Sequence, residues 1–369
     1  MLDPITAFFQ RVFAAIGRGL GLLVAWIAWP FMAAHGWYRD RSWIIRAPII
    51  LLLLLLVVCY GWFFWRTQVW YGFDTNMVAK YDFAARPVAA GEAVPGAANT
   101  CQNSAIVTVA ADLTDMTVNQ NAWISSTLLY KLGFFGVDWD HTPFFDNKAS
   151  FQRGVMQVVR RVSNEAADNL GRVRGTSGIN SDLQDARGNM QFDEGTWYFG
   201  LDPFGFKTPT PSYYRASINS WRKFNSDLET CKSVFDARAD NLIQLLDRLG
   251  SDLGNTSDIL RRRSEEFNSG WFDTRADDRF WFSYGQLYAQ YAILTAARAD
   301  FRDVVDQRKL GTVWDQMDNQ LKGALRVQPA IISNGAEDGW LMPTHLATMG
   351  FYVLRVRSNL VDLKNVLDR

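Results

Sequence analysis

Residues 47–65, APIILLLLLLVVCYGWFFW, decide the architecture of this chain because they run for nineteen residues without a charge. At ~1.5 Å per residue, a helix of this length reaches across a hydrocarbon core about 30 Å thick. Trp43 precedes the run, and Trp62 and Trp65 end it, as in the aromatic belts of membrane proteins. The stretch therefore predicts a transmembrane helix from Ala47 onward, anchored by these tryptophans.

A buried core helix and a cleaved signal peptide are the competing interpretations of the same run. It is too long and too uniformly apolar for a core helix. It also starts too late for a signal peptide, exceeds the usual apolar region, and has no small-residue cleavage site directly after it.

Residues 1–46 predict a second, weaker membrane segment. In residues 5–20 apolar side chains recur every three or four positions, which is typical of an amphipathic helix in a membrane interface. The alternative is a helix packed on the protein's own core. Residues 19–38 carry no Asp, Glu, Lys or Arg, but Pro30 and several glycines weaken a helix there. We therefore expect an interfacial or re-entrant segment, with a second span as the open alternative.

The basic loop between the two apolar stretches predicts the topology. This loop contains three basic residues, Arg39, Arg41 and Arg46, and one acidic residue, Asp40. Because positive loops stay in the cytoplasm, residues after the 47–65 span are expected on the far side of the membrane.

The composition excludes several classes of protein. Lys+Arg and Asp+Glu are both 38 among 369 residues, and only 21% of residues are charged. Residues 66–369 hold 33 basic and 36 acidic residues, because five of the basic and two of the acidic residues come earlier. This part lacks the positive excess that nucleic-acid binding requires, so no nucleic-acid partner is expected. Three Cys and three His are too few for a disulfide scaffold or a multi-metal protein.

Residues 66–100 are expected to form a stalk and a linker. Eleven of the seventeen residues from Ala84 to Thr100 are Ala, Gly or Pro, which favours a flexible connection. An irregular but ordered segment is the alternative.

Residues 101–369 predict an all-α domain. Apolar residues recur at helical spacing in six stretches: 106–116, 151–173, 214–249, 280–298, 314–321 and 346–367. The longest lies between Pro211 and Gly250, which suit helix boundaries, and would form a helix of ~57 Å if unbroken. We expect an elongated antiparallel helical bundle with long helices and a long ordered loop over residues 180–210, held down by its aromatic side chains.

Two features of this domain are candidate sites. Cys101 and Cys231 are the only cysteines outside the membrane segment, so they predict a disulfide; two buried thiols are the alternative. Two aromatic or turn-rich segments are candidate recognition loops, and their ordinary alternative is a structured connection. The candidate residues are Trp197, Tyr198, Phe204, Asn334, Gly335, Trp340, Pro343 and His345.

No motif predicts catalysis. The three histidines stand far apart, and the sequence has no H-x-x-x-H, C-x-x-C, G-x-S-x-G or Walker A pattern. We therefore expect no metal, no cofactor and no enzymatic activity. The acidic pairs Asp193-Glu194 and Asp277-Asp278 stand near aromatic residues, as in glycosidase sites, but equally suit helix N-termini.

Three segments in series resemble a known family: FDNKASFQRG at 145–154, RADNL at 238–242, and the stretch 334–346. The family is a proteobacterial group of membrane-anchored proteins described only as a domain of unknown function. The resemblance covers about residues 100–369 and the preceding span. It implies a Gram-negative inner-membrane protein, so that the far side predicted by the basic loop would be the periplasm, and it supplies no catalytic residues. It also implies a single span, to which the first apolar stretch is additional.

Three functions are consistent with these features. The first is a non-enzymatic periplasmic scaffold or accessory subunit of an envelope complex, with the bilayer, a membrane or periplasmic protein, and another copy of the chain as expected partners. Its basis is the high content of Trp and Phe, 15 and 25 residues, which are favoured at interfaces. The second is a ligand-binding or sensory domain, and the third a glycan hydrolase acting through Glu194 or Asp277.

Overall fold

The computed structural model describes residues 3–172 and 178–369, and these residues form helices and one small sheet. The helices are α1 Asp3–Arg39, α2 Trp43–Gln68, α3 Ala105–Asp115, α4 Leu128–Leu132, α5 Asn147–Glu165, α6 Ser181–Met190, α7 Thr210–Glu229, α8 Ala239–Glu266, α9 Ala276–Asp300, α10 Arg302–Gln307, α11 Gly311–Leu325 and α12 His345–Leu367. The strands β1 Phe199–Leu201 and β2 Phe204–Phe206 form an antiparallel hairpin between α6 and α7. The all-α prediction is confirmed.

The chain divides into two compact units, residues 1–62 and 63–369. In the first unit, α1 continues through Pro30 as one helix. A proline removes one helical hydrogen bond, which an apolar helix tolerates. Residues Phe13–Arg39 and Trp43–Gln68 are both long and apolar enough to cross a membrane, by length and composition. The side chains of residues 5–12, part of the predicted amphipathic face, lie outside the described part of the chain.

The predicted stalk and linker belong to the second unit. Phe63 and Thr67, which lie in the last turns of α2, are each 1% exposed. Ala89 and Ala90 are also buried. The amide of Ala90 donates to the carbonyl of Asp300 at 3.2 Å. Residues 66–100 are therefore ordered and packed on the bundle, which corresponds to the alternative interpretation of this segment.

Helix α9 is the central element of the bundle, and most of its residues are buried. Helix α5 runs parallel to it, because Ser150 bonds to Asp278 near both helix starts and Gln157 bonds to Gln286 two turns later. Helix α8 runs antiparallel to α9, since Gln286 meets Thr256 while the later Gln290 meets Leu249. The bundle is thus mixed, where the sequence predicted antiparallel packing.

The longest predicted helix is two helices in the structure. Helix α7 ends at Glu229 and α8 starts at Ala239, so Gly250 lies inside a helix and does not end one. Cys231, in the break, has a φ of 55°, a left-handed conformation that stops an α-helix. Its sulfur is bonded to that of Cys101, with the two Cα atoms 5.3 Å apart.

Residues 180–210 form a helix and a hairpin where the sequence predicted a loop held down by aromatic side chains. Helix α6 packs on α7: the hydroxyl of Ser217 donates to the carbonyl of Ala186 at 3.0 Å. In the hairpin, Phe204 is 78% exposed and Phe206 93% exposed. These rings therefore do not hold the segment on the core.

Candidate functional site

One end of the bundle receives the last turns of α2. The ring of Phe63 lies 5.0 Å from that of Trp139, and the ring of Phe64 lies 5.8 Å from that of Phe145. The ammonium of Lys148, in the first turn of α5, donates to the carbonyls of Arg66 and Val69. We call this the α2 end of the bundle; it holds the starts of α5 and α9.

Other segments reach the same end. The loop before α9 and the loop before α12 are joined by paired backbone hydrogen bonds between Gly270 and Asn334. The segment before the hairpin is held by the indole N–H of Trp123, which donates to the carbonyl of Glu194 at 2.8 Å. Trp123 lies two residues after Asn121, and the side chain of Asn121 bonds to the backbone of Tyr71, three residues after α2.

Exposed aromatic side chains collect at the α2 end. They include Tyr198, Phe204 and Phe206 of the hairpin segment, Phe267, Trp271 and Phe272 before α9, and Trp340 before α12. Trp340 is 90% exposed. Among residues 63–172 and 178–369, no exposed Phe, Tyr or Trp lies at the opposite end, where Cys101 and Cys231 are joined. The α2 end therefore differs chemically from the opposite end of the bundle.

Part of the predicted recognition loop over residues 334–345 has a structural role. Asn334 is fully buried, and its amide group donates to the carbonyls of Arg263 and Phe267 and to the carboxylate of Asp273. The amide of Gly335 donates to the carbonyl of Pro343. These contacts fix the loop and leave the Trp340 ring in solvent.

His345 also has a structural partner, because its Nδ1 accepts from the amide of Ser333 at 2.9 Å. Burial lowers the pKa of His345, which favours the neutral ring that this bond requires. Thr344 caps α12 by accepting from the amide of Ala347. In the other candidate loop, Trp197 is partly buried, whereas Tyr198 is 60% exposed.

Four aspartates gather at the α2 end, near the starts of α5 and α9. Carboxylate oxygens of Asp140, Asp146 and Asp278 all lie within 4.8 Å of one another. Asp140 lies in a single 3₁₀ turn, Asp146 immediately precedes α5, and Asp278 lies in the first turn of α9 beside Asp277. The parallel packing of α5 and α9 brings these helix starts together.

The electrostatics of this cluster are unusual. Burial and the neighbouring carboxylates of Asp278 and Asp277 raise the pKa of Asp146 far above its usual range. Burial, followed by the charge of Asp278, also raises the pKa of Asp277. Of this cluster, the sequence pattern indicated only the Asp277-Asp278 pair. It missed Asp140 and Asp146 because their meeting with α9 depends on tertiary packing; the D-x-D at 138–140 is the one local signal.

Glu194, the other candidate acid, occupies a different environment. Its carboxylate accepts from the guanidinium of Arg160 and lies 3.6 Å from Arg153. Arg160 also donates to the carbonyl of Met190, so the group holds the segment before the hairpin against α5. Hydrolysis through Glu194 or Asp277 stays an untested hypothesis.

The family described as an uncharacterized protein conserved in bacteria, DUF2333, matches residues 43–269 and 260–369. The chain belongs to the DUF2333 family. This confirms the resemblance at the level of an uncharacterised bacterial family. The match begins at Trp43, the first residue of α2, and leaves α1 outside. No curated protein and no solved structure matches this DUF2333 member.

Proposed function

We propose that this DUF2333 member is a non-enzymatic scaffold or accessory subunit of the bacterial cell envelope. It is anchored in the inner membrane by α2, and its bundle stands in the periplasm with the α2 end against the bilayer surface. The observation that carries this proposal is the collection of exposed aromatic side chains at the end where α2 enters the bundle.

The chemistry of these side chains favours lipid contact at the α2 end. Trp, Tyr and Phe are amphipathic or apolar, and Trp and Tyr concentrate at membrane–water interfaces. They project from three separate segments, the hairpin segment and the loops before α9 and α12, that share only their position at this end. An apolar helix that enters a bilayer at Trp62 and Trp65 would keep the α2 end within a few residues of the lipid headgroups. Bilayer contact would shelter rings such as Trp340 and Phe206 from water.

Two observations support a periplasmic location of the bundle. Three arginines against one aspartate between the apolar helices favour a cytoplasmic turn at residues 39–46. The disulfide between Cys101 and Cys231 suits an oxidising compartment. An alkaline phosphatase fused after Arg369 should therefore be active, and activity of a reporter that works only in the cytosol would contradict the location.

Depth-dependent quenching tests the bilayer contact. A fluorescent maleimide is attached to Trp340→Cys or Phe206→Cys in full-length Cys59→Ser protein, in lipid nanodiscs and without reductant. Asp303→Cys, an exposed position in α10 at the opposite end, is the matched control. We expect lipids with a quencher near the headgroup to quench the first two labels several-fold more than the control. Equal quenching of all three labels would contradict the proposal.

The scaffold role requires a protein partner in addition to the membrane. Crosslinking in native membranes, followed by purification through a C-terminal tag, should recover a stoichiometric partner or a second copy of the chain. Recovery of the monomer alone would contradict a scaffold role while leaving the bilayer contact intact.

A further inference from the structure

We propose that Asp140, Asp146 and Asp278 bind one hard divalent cation, calcium or magnesium, at the α2 end of the bundle. The proposal goes beyond the scaffold function and does not depend on contact with lipid.

The buried carboxylate of Asp146 lacks the hydrogen bond that its position before a helix normally provides. An aspartate that immediately precedes a helix normally accepts a hydrogen bond from an amide of the first turn. Asp146 occupies that position before α5, yet its side chain makes no capping bond. It is 0% exposed, and neither carboxylate oxygen accepts a hydrogen bond from a donor of another described residue; the polar group that faces it is the carboxylate of Asp278. A fully buried carboxylate without such partners is costly unless a proton or a cation neutralises it.

The geometry of the three carboxylates fits a cation. Their nearest oxygens lie within 4.8 Å of one another. The centre of a triangle with sides of 4.8 Å lies about 2.8 Å from each corner, so a shift of a few tenths of an ångström brings all three oxygens to the ~2.3–2.6 Å of calcium ligands. Carboxylate oxygens are the donors that calcium and magnesium prefer over softer metals.

Neighbouring hydroxyls hold two of the carboxylates in place. The phenol of Tyr130 donates to Asp140 at 3.2 Å, and the hydroxyl of Ser150 donates to Asp278 at 2.8 Å. Such bonds orient ligands around a metal and leave their remaining lone pairs available.

The surrounding basic groups do not balance the acidic charge. Arg279 is a basic residue whose charge acts on Asp278, and Arg153, whose charge acts on the nearby Tyr130, lies 3.6 Å from the carboxylate of Glu194. Lys148, two residues after Asp146, directs its ammonium to the carbonyls of Arg66 and Val69. With Asp277 in the same group, four carboxylates meet few opposing charges, and a divalent cation would supply the missing positive charge.

The cation would have a structural effect. Asp140 directly follows Trp139, which contacts Phe63 of α2, and Asp146 directly follows Phe145, which contacts Phe64. Asp278 belongs to the central helix α9. An ion bound to all three would hold together the segments of the second unit that pack on Phe63 and Phe64.

Terbium luminescence tests the site, because terbium substitutes for calcium and is excited by nearby aromatic rings such as Tyr130 and Trp139. Full-length protein in mild detergent is treated with a chelator and titrated with terbium, then with calcium, magnesium or manganese as competitors. We expect saturable emission at one ion per chain. Asp140→Asn and Asp146→Asn should weaken apparent affinity tenfold or more, whereas the exposed control Asp338→Asn should not.

Thermal unfolding distinguishes cation binding from neutralisation of the carboxylates by protons. If the site binds calcium, the wild type gains melting temperature with calcium concentration and Asp146→Asn loses most of that gain. The proposal is overturned if calcium, magnesium and manganese all leave the wild-type melting temperature unchanged while Asp146→Asn is more stable, or if terbium binds the variants and wild type equally. If Asp146→Asn does not fold, the partly exposed Asp140→Asn decides. Detergent contains no bilayer, so this result is independent of the proposed membrane contact.

Discussion

The close contact between α5 and α9 predicts that two glycines, Gly154 and Gly285, cannot be replaced by alanine without loss of stability. A Cβ on Gly154 would overlap the carbonyl oxygen of Phe282 and lie 3.0 Å from the amide nitrogen of Gln286. A Cβ on Gly285 would overlap the carbonyl oxygen of Phe151. In both cases the obstacle is backbone, which cannot rotate away as a side chain can. The two helices therefore approach as closely as they do only because both positions lack a side chain.

The expected magnitude follows from two opposing effects. Replacing glycine by alanine inside a helix stabilises by about 1 kcal/mol through backbone entropy. Forcing a methyl group into a closed contact costs about 1–3 kcal/mol or more, because whole helices must separate. Subtracting the gain from the cost, we expect Gly154→Ala and Gly285→Ala each to lower the free energy of unfolding by up to about 2 kcal/mol.

Gly188 provides a matched control, because it lies exposed in α6 with nothing within 4 Å of an added Cβ. Gly188→Ala should stabilise by up to about 1 kcal/mol. Urea unfolding of the full-length protein in mild detergent, followed by tryptophan fluorescence, measures all three variants. If Gly154→Ala and Gly285→Ala are as stable as Gly188→Ala, the close parallel packing of α5 and α9 is wrong.

Three further predictions concern the second unit. Asp300→Asn should destabilise by about 3 kcal/mol in urea unfolding, because the buried carboxylate accepts from the Ala105 and Ile106 amides and pairs with Arg86; the exposed control Asp303→Asn should change little. Reducing Cys101–Cys231, which closes a sequence separation of 130 residues, should lower stability by about 4–5 kcal/mol, and an unchanged melting temperature with reductant would refute this. Burial raises the pKa of Asp318 from 3.8 to about 6, so its contribution to stability is present below pH 3.8 and is lost as pH rises towards 6. Relative to wild type, Asp318→Asn should therefore gain stability, by up to about 3 kcal/mol, between pH 4 and pH 7; a pH-independent difference would contradict the assignment.

Local sequence patterns predicted only part of the acidic cluster at the α2 end. Asp277-Asp278 stood out because two carboxylates were adjacent in sequence. Asp140 and Asp146 lie more than 130 positions earlier, and no spacing rule connects them with α9. Conversely, Asn334 and His345 stood out in the sequence as recognition residues, yet their hydrogen bonds hold their own loop. A polar residue in a turn has the same sequence appearance whether its partner is a ligand or the backbone.

The sequence by itself determined the helical class, the apolar character of α2 and the position of most helices, because these depend on periodicity and on runs of one residue type. It also identified the only two cysteines available for a disulfide in the folded domain. Tertiary structure decided the parallel packing of α5 on α9, the break between α7 and α8, and the gathering of aromatic rings and carboxylates at one end. The physical reason is that these features depend on contacts between residues far apart in the chain. Their free energies come from burial and close approach in three dimensions, and no local pattern records them.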